Sequence, residues 1–234
     1  MGHSTTTCFT PEELITATTP APNGYANSKC LAEHLLAQAA KQSSLHTFAR
    51  VGQIAGPVRS PRLRNKTEWF PRSCPELLHV GSLPNTLGSA LDRIDWVPVG
   101  LLAEVLVDLA LSKNKTANES VDVFQPMNLY PLTWEALRPI VEDALLKTSG
   151  EKLKSFPSKT RSGASGRTSR RPALAAIGKN PAVNLLEFLK DIMSKSTREN
   201  VLDTQLIVQR SGKLQAVEAV KPEWIQKWVG ELIQ

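Results

Sequence analysis

The sequence predicts an α/β fold, and three stretches predict it. The turn Pro22-Asn23-Gly24 opens a run in which Leu31, Leu35 and Leu36, with Ala32 and Ala39, recur at helical spacing. Thr47-Phe48-Ala49-Arg50-Val51 follows as a short run with strand character, and Gly56-Pro57 closes it. A second helical run over 100–112 then precedes another strand candidate at 121–126.

Taken in order, residues 1–8 are polar and unpatterned, and Pro11-Glu12-Glu13-Leu14-Ile15 is suited to a short helical turn. A helix is expected over 28–41, and residues 46–51 read as a strand of a parallel sheet. Residues 58–95 are expected to be loop-rich, because Pro57, Pro61, Pro71, Pro75 and Pro84 break them repeatedly; Trp69-Phe70 and Leu77-Leu78 fit short helices there. Over 100–112, Leu101, Leu102, Val105, Leu106 and Leu109 share one side, and Gly100 is placed to cap that helix. Thr133 is placed to cap a helix reaching about residue 147, which Pro139 is expected to kink or divide. Asn180-Pro181 begins an amphipathic run through Leu189. A last helix, over 222–233, puts Trp224, Ile225, Trp228 and Val229 on one face.

The chain has 234 residues, enough for one domain with a sizeable core. No apolar run is long enough to span a membrane, and the N-terminal stretch has no signal core, so a cytoplasmic location is expected. Cys8, Cys30 and Cys74 are widely spaced with no CxxC, which fits reduced thiols and no metal site. The net charge is +6, yet nine basic residues and one acidic residue fall within 147–180. That segment therefore carries +8, and the rest of the chain −2. Residues 149–178 are Ser-, Gly-, Lys- and Arg-rich and read as a disordered basic insertion. With no aromatic interleaving beyond Phe156, nucleic acid is not the expected partner.

Chemistry enters at Gly24-Tyr25-Ala26-Asn27-Ser28-Lys29. Positions i and i+4 share a helix face, so Tyr25 and Lys29 point into one small volume. An ammonium beside a phenol favours the phenolate. Such a tyrosine can pass a proton to a carbonyl oxygen as hydride arrives at the carbon. The alternative for the motif by itself is a solvated pair on a surface helix.

Six blocks in order narrow the choice: GYANSKCLAEHLL, RVGQIAGP, EWFP, LDRIDWVPV, NPAVNLLEFL and PEWIQKW. Together they resemble the second half of a thioester reductase domain, of the fungal aminoadipate-reductase and synthetase-like type, within the extended short-chain dehydrogenase/reductases. The resemblance covers roughly residues 9–234, with a gap near 149–178. It implies a partial doubly wound, Rossmann-like parallel sheet lacking its first strands, plus a mainly helical C-terminal substrate lobe. Residues 1–57 would be the remnant of the dinucleotide-binding domain and 58–234 the lobe.

The resemblance implies NADPH as cofactor, with Tyr25 and Lys29 catalytic and also cofactor-binding, and Gln53, Ile54 and Gly56 beside the nicotinamide; a structural turn closed by Gly56-Pro57 is the equal alternative for those three. Ser4, Thr5, Thr6 and Thr7 are the nearby hydroxyls for the family's third catalytic position, none of them singled out. The implied activity is reduction of a carrier-bound acyl thioester to an aldehyde, with an acyl carrier (phosphopantetheine) domain or a synthetase as partner. One feature of the family is missing: no G-x-G-x-x-G or G-x-x-G-x-x-G occurs in these residues. An inactive remnant that docks on a synthetase, or half of a split enzyme associating through an exposed sheet edge, is therefore the other expectation.

Overall fold

The structure is a computed structural model, which describes residues 8–16, 24–42, 47–60, 70, 74, 83, 86–88, 91–112, 121–149 and 200–233. The hydroxyls of Ser4 to Thr7, Trp69, Leu77-Leu78, nearly all of the basic segment and the amphipathic run from Asn180 lie outside the described residues.

Helices and short parallel strands alternate, as expected for an α/β chain. Strand β1 (Cys8–Thr10) precedes helix α1 (Gly24–Ala40), which leads to β2 (Thr47–Ala49) and β3 (Ile54–Ala55). After β4 (Arg93–Ile94) and β5 (Val97–Pro98) comes α2 (Val99–Leu111), then β6 (Asp122–Phe124) and β7 (Leu132–Thr133). Helix α3 (Trp134–Ser149), β8 (Asn200–Leu202), α4 (Gln205–Arg210), α5 (Gly212–Gln215) and α6 (Pro222–Ile233) complete the described elements.

The strands pair two by two. β1 lies parallel to β8, β2 to β6 and β3 to β5, while β4 and β7 run antiparallel. Strands aligned in parallel bring their C-terminal ends to one side, where α/β folds bind ligands.

Two apolar clusters hold the elements. In the first, Leu137, Val141 and Leu145 of α3 meet Ile225, Trp228 and Val229 of α6 around Phe70, Trp96 and Trp134. The Phe70 and Trp96 rings meet edge to face, their centroids 4.9 Å apart. The second joins Leu101, Leu102, Val105 and Leu109 of α2 to Phe124, Ile207, Leu214 and Val217. In α2 and α6 the apolar faces read from the periodicity are largely the buried ones, although Leu106 stays exposed; in α1 the expected face of Leu31, Ala32, Leu35, Leu36 and Ala39 is exposed instead, and only Ala37 and Ala40 are buried.

Local chemistry departs from expectation at four places. β1 is a strand where the sequence shows no strand pattern, because three residues ordered by a partner some 190 residues away leave no local signature. Pro11 to Leu14 form a bend and no helical turn. Pro98, not Gly100, occupies the cap position of α2; Gly100 lies inside the first turn, exposed. Pro139 does not end α3, which continues to Ser149. Its side chain is on the exposed face, so the Glu135 carbonyl that loses its intrahelical donor is open to water. Thr133 does cap α3, its hydroxyl accepting the Ala136 N–H at 3.3 Å.

Candidate functional site

Helix α1 presents Tyr25 and Lys29 together in its first two turns. The Lys29 Nζ lies 5.3 Å from the centroid of the Tyr25 ring, over its face. Both side chains are exposed, Tyr25 at 74%. Ser28, between them in sequence, donates its hydroxyl back to the Tyr25 carbonyl at 2.7 Å. One turn further along the same stripe stands Glu33, and one turn beyond that Ala37, which is buried. The apolar side chains Leu31 and Leu35 are 60% and 62% exposed, so α1 buries only its small residues among the described parts of the chain.

Arg50, the residue after β2, fixes this helix to the strand ends. Its Nε donates to Glu33 Oε1 at 2.9 Å and its Nη2 to Glu33 Oε2 at 2.7 Å, the two-pronged geometry in which a guanidinium holds a carboxylate best. The same guanidinium donates to the carbonyls of Pro11 at 3.1 Å and Glu13 at 3.0 Å, just past β1. Its backbone N–H continues the ladder to Phe124 at 2.8 Å.

Between those carbonyls, Glu12 turns its carboxylate to the other elements. Its Oε1 accepts the Gln125 N–H, directly after β6, at 2.9 Å. Its Oε2 accepts the backbone N–H groups of Leu206 and Ile207, at the start of α4. Burial pushes the Glu12 carboxyl above the usual carboxylate range, and these three backbone donors pull it part of the way back. The fully buried Gln125 donates its side-chain amide to the carbonyls of Thr10, the last residue of β1, at 3.0 Å and of Asp203, just after β8, at 3.1 Å. The ends of four parallel strands are thus stitched together on the side where Arg50 reaches α1.

The other sequence candidates fall on β3. Gln53 accepts the Val97 N–H on its carbonyl at 3.1 Å, and its side-chain amide donates to the Ile54 carbonyl at 3.0 Å. Ile54 is half-buried and packs on the second apolar cluster. Gly56 is buried, and the carbonyl of the adjacent Pro57 accepts Lys227 Nζ at 2.9 Å and Trp228 Nε1 at 3.3 Å. These contacts give Gln53 and Ile54 a structural role, and Gly56 is enclosed beside them. Gly52, just before them, is a close-approach position: a Cβ there would run into Met127 Sδ.

Glu12, Glu33, Arg50 and Gln125 are the residues that sequence reasoning missed. Glu33 alone carried a local signal, its place on the stripe of Tyr25; Glu12, Arg50 and Gln125 meet their partners only through the fold. Among the described residues, no group of three or more His, Cys, Asp or Glu is arranged to hold a metal ion, and no helix is long and apolar enough to cross a membrane.

One part of the chain is similar to a known protein family. Residues 6–106 match the protein-family model described as "Male sterility protein", an NAD-binding family. The match covers less than half of the chain. The matched stretch includes α1, β2, β3 and most of α2.

Among curated relatives, a carboxylic acid reductase of Neurospora crassa is 26% identical over 223 residues, covering 93% of this chain and 21% of the relative. The non-reducing polyketide synthase SAT8 of Stachybotrys chartarum is 30% identical over 228 residues, covering 94% of this chain and 8% of the relative. The chain thus spans less than a quarter of the length of either. Among solved structures, the terminal R domain of the myxalamid PKS-NRPS pathway superposes with a TM-score of 0.61 at 17% identity, over 99% of this chain and 55% of that one. The reductase domain of the aureusimine cluster gives 0.57 at 15% identity, over 98% and 55%. The fold is that of these reductase domains, over about half of their length.

Proposed function

We propose that this chain carries the proton-transfer element and the substrate lobe of a nicotinamide-dependent thioester reductase. The observation that carries the reading is the Lys29 ammonium over the Tyr25 ring, on a helix tied to the C-terminal ends of parallel strands. The division at residue 57 is part of the proposal: Tyr25 and Lys29 stand before it, and β8 and α6 after it.

The residues present fit the nicotinamide half of the cofactor. The Tyr25 hydroxyl and the Lys29 ammonium are exposed donors on one face, suited to a ribose hydroxyl and a substrate carbonyl. A reduced nicotinamide, when bound, supplies the hydride; NADPH is the form proposed. Tyr25 gives its proton to the carbonyl oxygen as negative charge develops there, and Lys29 stabilises the phenolate left behind. Gln53, Ile54 and Gly56 would border the ring from β3. Reduction of a carrier-bound acyl thioester releases an aldehyde and a thiol. The partner is then a phosphopantetheine carrier domain or the synthetase that bears it, as in the multidomain relatives. A cytoplasmic location goes with such a partner.

A second reading is favoured by the 74% exposure of Tyr25: a module without activity that docks on a synthetase or its carrier. The test is NADPH consumption with a phosphopantetheinyl acyl thioester. The reductase reading expects Tyr25→Phe to lower kcat by about a hundredfold with KM little changed. Equal rates in the two proteins would sink the reading, and no turnover in either would favour the docking module.

A further inference from the structure

Lys29 stands between two possible partners on one helix stripe. Tyr25 lies four residues before it and Glu33 four residues after it. A lysine and a glutamate at that spacing readily pair on a helix. In the structure they do not share a hydrogen bond; both Glu33 oxygens go to Arg50, and the Lys29 ammonium lies over Tyr25. Glu33 and Arg50 side chains are only 23% and 15% exposed, so the pair is well shielded compared with Lys29, which is in solvent.

We propose that Arg50 is a positioning residue whose task is to withhold Glu33 from Lys29, leaving the ammonium to Tyr25. The contest is close enough for this to matter. A lysine over an exposed aromatic ring and a lysine paired with an exposed glutamate at this spacing are both weak interactions of similar size. Whichever partner is free decides where the ammonium sits. The planar guanidinium, anchored by the Pro11 and Glu13 carbonyls, engages both carboxylate oxygens and offsets the Glu33 charge, so Glu33 draws Lys29 less. The inference rests on the reading of Tyr25 and Lys29 as a functional pair.

The experiment is nuclear magnetic resonance on the full chain with ring-labelled tyrosine. The chain has two tyrosines, Tyr25 and Tyr130, so Tyr130→Phe leaves Tyr25 as the one labelled ring. The readout is the Overhauser effect between that ring and the Lys29 ε-methylene. Arg50→Met should reduce it at least about twofold. Adding Glu33→Gln to Arg50→Met should restore it, since the rival is removed with its keeper. Arg50→Lys, which keeps a cation beside Glu33 without the two-pronged grip, should give an intermediate loss, and reads the effect should Arg50→Met not fold.

An Overhauser effect unchanged in Arg50→Met and Arg50→Lys overturns the proposal. So does a loss that Glu33→Gln fails to restore, because Arg50 would then be supporting the helix alone. A missing effect in the otherwise unchanged chain contradicts the Tyr25–Lys29 pair itself, which separates that failure from the failure of Arg50's role.

Discussion

The Glu12 carboxylate accepts the backbone N–H of Ile207, 195 residues further along the chain. Because it also accepts from Leu206 and Gln125, one side chain closes the start of α4 onto the end of β6. Both oxygens are used as acceptors, so an amide cannot replace them: its NH2 would face N–H groups. Glu12→Gln is expected to cost about 1–3 kcal/mol, the penalty for orphaning a buried donor, and Glu12→Ala to cost more. Urea unfolding of the two variants checks this, and a Glu12→Gln protein as stable as the parent would show that the three donors reach water.

Asp95 gives a pH signature. Burial raises its carboxyl above the ordinary range, and Arg93, donating to it at 3.3 Å, lowers it in part. Glu12 is raised for the same leading reason. Each group therefore holds its proton to higher pH folded than unfolded. Between those two values the folded chain binds more protons, so stability falls as pH rises. This contribution is complete below the ordinary carboxylate value and is lost as pH passes the raised one. Unfolding free energy measured from pH 4 to 7 should decline from this cause, and Asp95→Asn should flatten the decline. A slope identical in the variant would remove Asp95 from the explanation.

Gly52 and Met127 form a tight contact that one pair of variants can test. A Cβ at position 52 would run into Sδ and meet Cε at 2.7 Å, the flexible end of a long side chain. Gly52→Ala is expected to cost about 1 kcal/mol, at the low end for an overpacked site, because the methionine can turn aside. In the Met127→Ala background the same change should cost close to nothing. A double-mutant cycle on thermal unfolding measures the coupling, and additive effects would mean that the backbone at Gly52, not the methionine, sets the cost.

The helices were legible because their apolar residues recur within a few turns. α2 and α6 bury Leu101, Val105, Ile225 and Trp228 as the periodicity says, whereas the apolar residues of α1 at the same spacing stay exposed. The Thr133 cap was legible for the same reason, being local. β1 was not, since Cys8–Thr10 becomes a strand only through Asn200–Leu202. Tyr25 and Lys29 could be paired from spacing, and their contact is an i,i+4 contact. Arg50 and Glu12 could not be found that way. Their partners are 17 to 195 residues distant, and nothing in an isolated arginine or glutamate tells which carboxylate or N–H the fold will bring to it.

The most direct test is titration calorimetry of the purified chain with NADPH, beside Lys29→Ala. Saturable binding that weakens at least about tenfold in the variant, a loss of roughly 1.4 kcal/mol, is expected if Lys29 holds the nicotinamide side of the cofactor. Binding that the variant leaves unchanged, or no binding by either protein, would contradict a cofactor site at Tyr25 and Lys29.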